Sequence, residues 1–133
     1  TAITGEVGNN SFDHNLGNWP DILGIFCAYN LKKGGMVLAD RGQGILATLK
    51  RVKPELRNHR DALHTAFAEV LSGRAPEYRG NGLKFVKDVV AANEISLQFY
   101  TGDAKLEIQK NDSDVDVQSS AVNFPGCLAV ISF

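Results

Sequence analysis

The chain has 133 residues, with 14 Lys and Arg against 15 Asp and Glu, and 44% of it is hydrophobic. A single domain of this length buries roughly two-thirds of its unfolded surface, so it needs no disulfide or metal staple, and its apolar fraction excludes disorder. A formal net charge of −1 gives no electrostatic footprint for nucleic acid or an anionic membrane, and no apolar run approaches the roughly 18 residues of a spanning helix. Cys27 and Cys127 lie far apart and form no metal-type pair, which favours a reducing, cytoplasmic setting. The sequence begins at Thr1 rather than Met, which leaves room for residues upstream.

In chain order, residues 2–16 read as a helix entered after Thr1 or Thr4 and ended by Trp19-Pro20. Gly5 and Gly8 each cost that helix about 1 kcal/mol. Ile22–Asn30 and Met36–Ala39 are β-rich and flank turn material at 31–35, so they form a hairpin that stops at Asp40. Ile45–Lys53 is interrupted by Pro54. Asp61–Ser72 is a clearer helix, with Leu63, Ala66, Phe67, Val70 and Leu71 at spacings of three and four and Gly73 as its C-cap. Leu83–Asn93 is helical again. Glu94–Tyr100 and Lys105–Lys110 are strands joined by a Thr101–Ala104 hairpin turn; Asn111–Asp114 is a further turn, and Val115–Val117 and Leu128–Phe133 are further strands. The pattern is α+β: helices on one face of a largely antiparallel sheet.

Three segments can carry chemistry. Glu6, Asn10 and Asp13 fall within about 60° of one another on a helix, which is either a small polar site or a solvated face. Asp40-Arg41-Gly42-Gln43-Gly44-Ile45 delivers an Asp at a strand end, followed by alternate glycines that permit close backbone approach to a ligand. Such an Asp can accept hydrogen bonds from an amine at the floor of a pocket, though an ordinary turn has the same sequence. Gly80-Asn81-Gly82-Leu83 opens a helix with glycine backbone, a phosphate-favouring arrangement or a plain helix start. It is neither a Walker A sequence nor a dinucleotide fingerprint.

The order of these pieces resembles the histidine-kinase-like (GHKL) ATPase superfamily, which includes gyrase, the large heat-shock chaperone, mismatch-repair ATPases, sensor histidine kinases and anti-sigma-factor serine kinases. Glu6 and Asn10 match its N-box, Glu-x-x-x-Asn, and Asp13 resembles the further acid of the gyrase-type version. Asp40–Ile45 matches the G1 box and Gly80–Leu83 the G2 box. The resemblance implies a single Bergerat-type ATP-binding domain over 1–133: a two-layer sandwich with a mixed, mostly antiparallel sheet.

It also implies roles. Asp40 would bind the adenine amino group with Gly44 close to the base, and Asn10 would coordinate Mg²⁺ through its side-chain oxygen. Glu6 would activate water or an acceptor hydroxyl. Asp13, Gly42, Ile45 and Leu83 complete the ATP-binding set with Gly80 and Gly82, whose backbone would hold the triphosphate. Residues 46–79 would form the ATP lid, expected to be unordered without ligand. Arg74, Arg79 and Lys84 are the nearest cations, but no motif fixes them. Cys127 stands where many members have a Thr that helps fix adenine.

The leading expectation is a cytoplasmic ATP·Mg²⁺-binding domain that hydrolyses ATP or transfers its γ-phosphoryl group, closest in style to small anti-sigma-factor kinases or sensor-kinase catalytic domains. The alternative is a nucleotide-gated protein-interaction module without turnover; a third reading is an α+β domain that has lost nucleotide binding. A protein partner or phosphoacceptor is expected, with a homodimer admitted and neither nucleic acid nor membrane. His14, His59 and His64 fall in the N-box or lid, so none is placed as a phosphoacceptor.

Overall fold

The computed structural model describes residues 2–69 and 82–133. Helix α1 (Ala2–Asp13) turns Ile3, Val7 and Ser11 inward at a spacing of four. An edge hairpin follows, β1 (Ile25–Asn30) and β2 (Gly35–Asp40). Two helices come next, α2 (Gly44–Leu49) and α3 (His59–Ala68), then α4 (Gly82–Ala91). Two long strands close the chain, β3 (Ser96–Ile108) and β4 (Val117–Ser132).

The sheet order is β1-β2-β4-β3, and every pairing among the described residues is antiparallel. Leu38, Leu97, Phe99, Ala129 and Ile131 share the face that the helices cover. α1 packs on β2 and α4, while α2 and α3 pack across β3 and β4. The core is apolar where α3 and α4 meet β3: Leu63, Phe67, Val86, Val90, Leu97 and Ile108 are fully buried. Phe67 meets Phe99 edge to face, with ring centroids 5.3 Å apart.

The expected α+β architecture is therefore present, with two corrections inside it. Thr101–Ala104 is no hairpin turn; it lies within the continuous strand β3. The pairing with β4 jumps there, from Tyr100↔Leu128 to Gly102↔Phe124 and then Ala104↔Ser119. This irregularity shifts the pleat by one residue, so Leu97, Phe99 and Thr101 are buried before it and Ala104, Leu106 and Ile108 after it. A turn-like composition thus marks a β-bulge, and the reversal comes later, at Gln109–Asp112, where Gln109 N–H donates to Asp112. The expected strand at 128–133 is the end of β4, which runs to Ser132, whereas of the expected strand at 115–117 only Val117 belongs to it.

The second correction concerns residues 46–69. The lid expected over 46–79 is described as far as residue 69, and that part builds α2, α3 and part of the core rather than an irregular segment, burying Leu49, Leu56, Ala62, Leu63 and Phe67. Asn58 caps α3 by accepting from the Asp61 N–H at 2.8 Å, and Pro54 falls between the helices, where it breaks neither. Residues 70–79, with Arg74, Arg79 and the expected Gly73 cap, lie outside the described residues.

Candidate functional site

β2 ends by carrying Asp40 under the helix layer, where it is 5% exposed. A carboxylate there requires partners, because an unpaired buried charge is costly. One oxygen accepts from the Gly42 N–H at 2.8 Å and the other from the Ser11 hydroxyl at 3.0 Å. An ionised carboxylate has about four lone-pair positions, so it retains capacity to accept from a ligand amine. The turn after Asp40 reverses through Gly44 at φ +76°, a left-handed conformation that favours glycine. Gly126 on β4, at φ +100°, lies directly against it: a Cβ there would overlap the Asp40 carbonyl.

The turn is tied to the end of α1. Asn15 is buried; its side-chain oxygen accepts from Gln43 N–H at 3.0 Å and its amide donates to the Ser11 carbonyl at 2.9 Å. Gly42 leaves space for that amide, which a Cβ would overlap. Gln43 donates from its side chain to the His14 carbonyl at 2.6 Å and accepts from Arg51 at 3.1 Å. Partial burial lowers the His14 pKa below its ordinary value, Asp13 opposing this and Arg51 reinforcing it. Cys127 lies beside the turn, and burial, aided by Asp40, pushes its thiol up, so it stays a neutral, weak donor.

Between α1, the turn, α2 and the sheet lies a narrow cleft, roughly 370 Å³ including the part open to solvent. Val7, Ile45, Leu83 and Phe99 give it apolar walls, while Asn10, Ser11, His14, Asp40 and Thr48 supply polar atoms. Of the sequence-derived residues, Asn10, Asp40, Gly44, Ile45 and Leu83 meet in this lining, although they come from three separate segments. Gly42 stands just behind as a donor to Asp40. Glu6 is half-buried at the start of α4, where a Cβ on Gly82 would overlap its carboxylate and lie 3.7 Å from the Asn10 amide. N-box helix and G2 backbone thus touch. Gly80 lies outside the described residues.

Asp13 is not brought in: it is exposed at the last turn of α1 and absent from the lining. The helical wheel explains why. Ile3 and Val7 set the inward direction, and Asp13 projects about 120° from Val7 at 100° per residue, whereas Ser11 projects within about 40° of it and is buried. Centring the wheel on the apolar residues would have found Ser11, whereas Asn15 follows the helix in a turn and carried no such signal. Phe99 and Thr48 carried no such signal, since tertiary packing alone brings them to the cleft.

The donor set also fits a magnesium nucleotide. No group of three or more His, Cys, Asp or Glu able to hold a metal unaided exists among the described residues. Mg²⁺ characteristically takes one or two protein oxygens and completes its shell with phosphate and water. Asn10, with Glu6 near, offers that limited set.

This architecture, with helices on one face of an antiparallel sheet, is the Bergerat-type fold expected from the sequence, and solved structures share it. Among solved structures, the ATPase region of Saccharomyces cerevisiae topoisomerase II bound to ICRF-187 (dexrazoxane) is similar at a TM-score of 0.62 and 15% identity, covering 98% of this chain and 36% of that one. The topoisomerase IV ATP-binding domain of Francisella tularensis, in complex with a small-molecule inhibitor, gives 0.55 and 13%, covering 98% and 35%. The chain thus spans about a third of the length of these structures. Neither protein-family models nor curated protein sequences give a match. Among the described residues, no helix is long and apolar enough to cross a membrane.

Proposed function

We propose that this domain binds ATP with Mg²⁺ and either hydrolyses it or transfers its γ-phosphoryl group to an acceptor hydroxyl or side chain. The observation that carries the reading is the buried Asp40 carboxylate, held by Ser11 and the Gly42 amide and facing an apolar-walled cleft. Such a group would accept from the exocyclic amine of adenine, while Ile45 and Leu83, which line the cleft, would give the ring apolar contacts and exclude water. Asn10 would hold the metal through its side-chain oxygen. When bound, Mg²⁺ supplies neutralisation of phosphate charge. The Gly82 backbone opens α4, and a helix N-terminus would offer its free N–H groups to the phosphates. Glu6, beside it, takes the proton from the attacking water or hydroxyl at its carboxylate oxygen.

Calorimetric titration with ATP and Mg²⁺ tests this. The reading expects sub-millimolar binding that weakens sharply in Asp40→Asn. Binding weaker than millimolar for ATP, ADP and a non-hydrolysable analogue alike would end it.

A further inference from the structure

Thr101 sits inside β3 at the bulge, with no exposed surface. A buried hydroxyl offers one donor and two acceptor positions, and both kinds are engaged here. Oγ1 donates to the Gly126 carbonyl at 2.8 Å and accepts from the Ile45 N–H at 3.3 Å, with the Cys127 Sγ 4.0 Å away. Its partners belong to the two backbone segments that frame Asp40. Ile45 is the second residue of α2 and follows Gly44, whose Cβ, if present, would lie 3.0 Å from Oγ1. Gly126 abuts Asp40 so closely that a Cβ on it would sit 2.9 Å from the Asp40 carboxylate and from the Gly42 N–H. One side chain therefore couples β3, β4 and the 40–45 turn, although it is absent from the cleft lining.

We propose that Thr101 is a positioning residue for the base-binding floor: through Ile45 and Gly126 it sets where the 40–45 turn stands relative to the Asp40 carboxylate. This rests on the nucleotide reading above. Thr101→Val keeps the shape, removes the hydroxyl and leaves the Ile45 N–H and Gly126 carbonyl without that partner, whereas Thr101→Ser keeps the hydroxyl. The test measures the affinity of wild type and both variants for ADP and for inosine diphosphate, which lacks the amine that Asp40 would accept from. Thermal midpoints are recorded alongside.

The expected result is that Thr101→Val weakens ADP binding about tenfold, the equivalent of one lost hydrogen bond. It also narrows the preference for ADP over inosine diphosphate, while Thr101→Ser stays within about twofold of wild type on both counts. Wild-type affinity and preference in Thr101→Val would overturn the inference, leaving the nucleotide reading intact. So would equal weakening of both nucleotides by both variants in step with their thermal midpoints. Failure of the wild type to bind either nucleotide would instead sink the nucleotide reading, and this inference with it.

Discussion

The two ends of the helix layer are built on opposite principles. Where α3 and α4 cover β3, the interior is apolar and closed, with Leu63, Phe67, Val86, Val90 and Ile108 fully buried. Where α1 and α2 cover the junction of β2 and β4, the interior is polar and open: Ser11, Asn15, Asp40 and Thr101 are buried there around a cleft. Thr65 is the only other buried polar residue among the described residues. Phe99 stands at the boundary, packed on Phe67 behind and lining the cleft in front. The closed end concentrates transfer free energy, while the open end holds polar groups that contribute less to stability but are oriented for a ligand.

Substitutions at the two ends should therefore separate stability from chemistry. The largest loss of stability is expected from Leu63→Ala at the closed end, roughly 2–5 kcal/mol, measured by urea unfolding. A loss below 1 kcal/mol would mean that the end is not tightly packed. At the open end, Glu6→Gln should lower turnover by about 10²–10⁴-fold while nucleotide affinity and unfolding midpoint stay close to wild type. Unaltered turnover would remove Glu6 from the chemistry and favour a binding-only module. Asp40→Asn is expected to weaken nucleotide binding by roughly 10–100-fold, the scale of a hydrogen bond to a charged group, with little change in stability because Asn still accepts from Gly42.

Smaller effects sharpen the contrast. Ser11→Ala removes a donor to Asp40 and should cost about 1 kcal/mol of stability, together with a modest loss of affinity. The smallest effect is on pH dependence. The His14 pKa lies below its ordinary 6.5, mainly through burial. The unfolded chain therefore binds more protons than the folded one as pH falls through that region, so stability declines on acidification from about pH 7 to 5. His14→Gln should flatten that decline in urea unfolding at paired pH values; an identical slope would mean that His14 does not contribute.

Legibility in the sequence followed the same division. The α+β class, α1, the β1–β2 hairpin, α3 and α4 could be read because each rests on local periodicity or turn chemistry. The convergence of Asn10, Asp40 and Leu83 could be read only because spaced motifs imply it; no single segment does. Thr101–Ala104 misled because Gly and Asp beside one another serve a bulge as well as a turn, and only the partner strand distinguishes them. The packing of 46–69, the described part of the expected 46–79 lid, was hidden for a related reason. Periodicity showed the apolar face of α3 but not that β3 supplies the surface that buries it. Asp13 was grouped with Glu6 and Asn10 by their shared helical angle, although the apolar residues set which face turns inward.

The most direct measurement is amide chemical-shift mapping of the isotope-labelled domain during titration with ADP and Mg²⁺. The account predicts that the amides of Asn10, Gly42, Gly44, Ile45 and Leu83 move together along one saturating curve, while those of Leu63, Val90 and Ile108 stay in place. Shifts confined to the closed end, or none up to millimolar nucleotide, would contradict it.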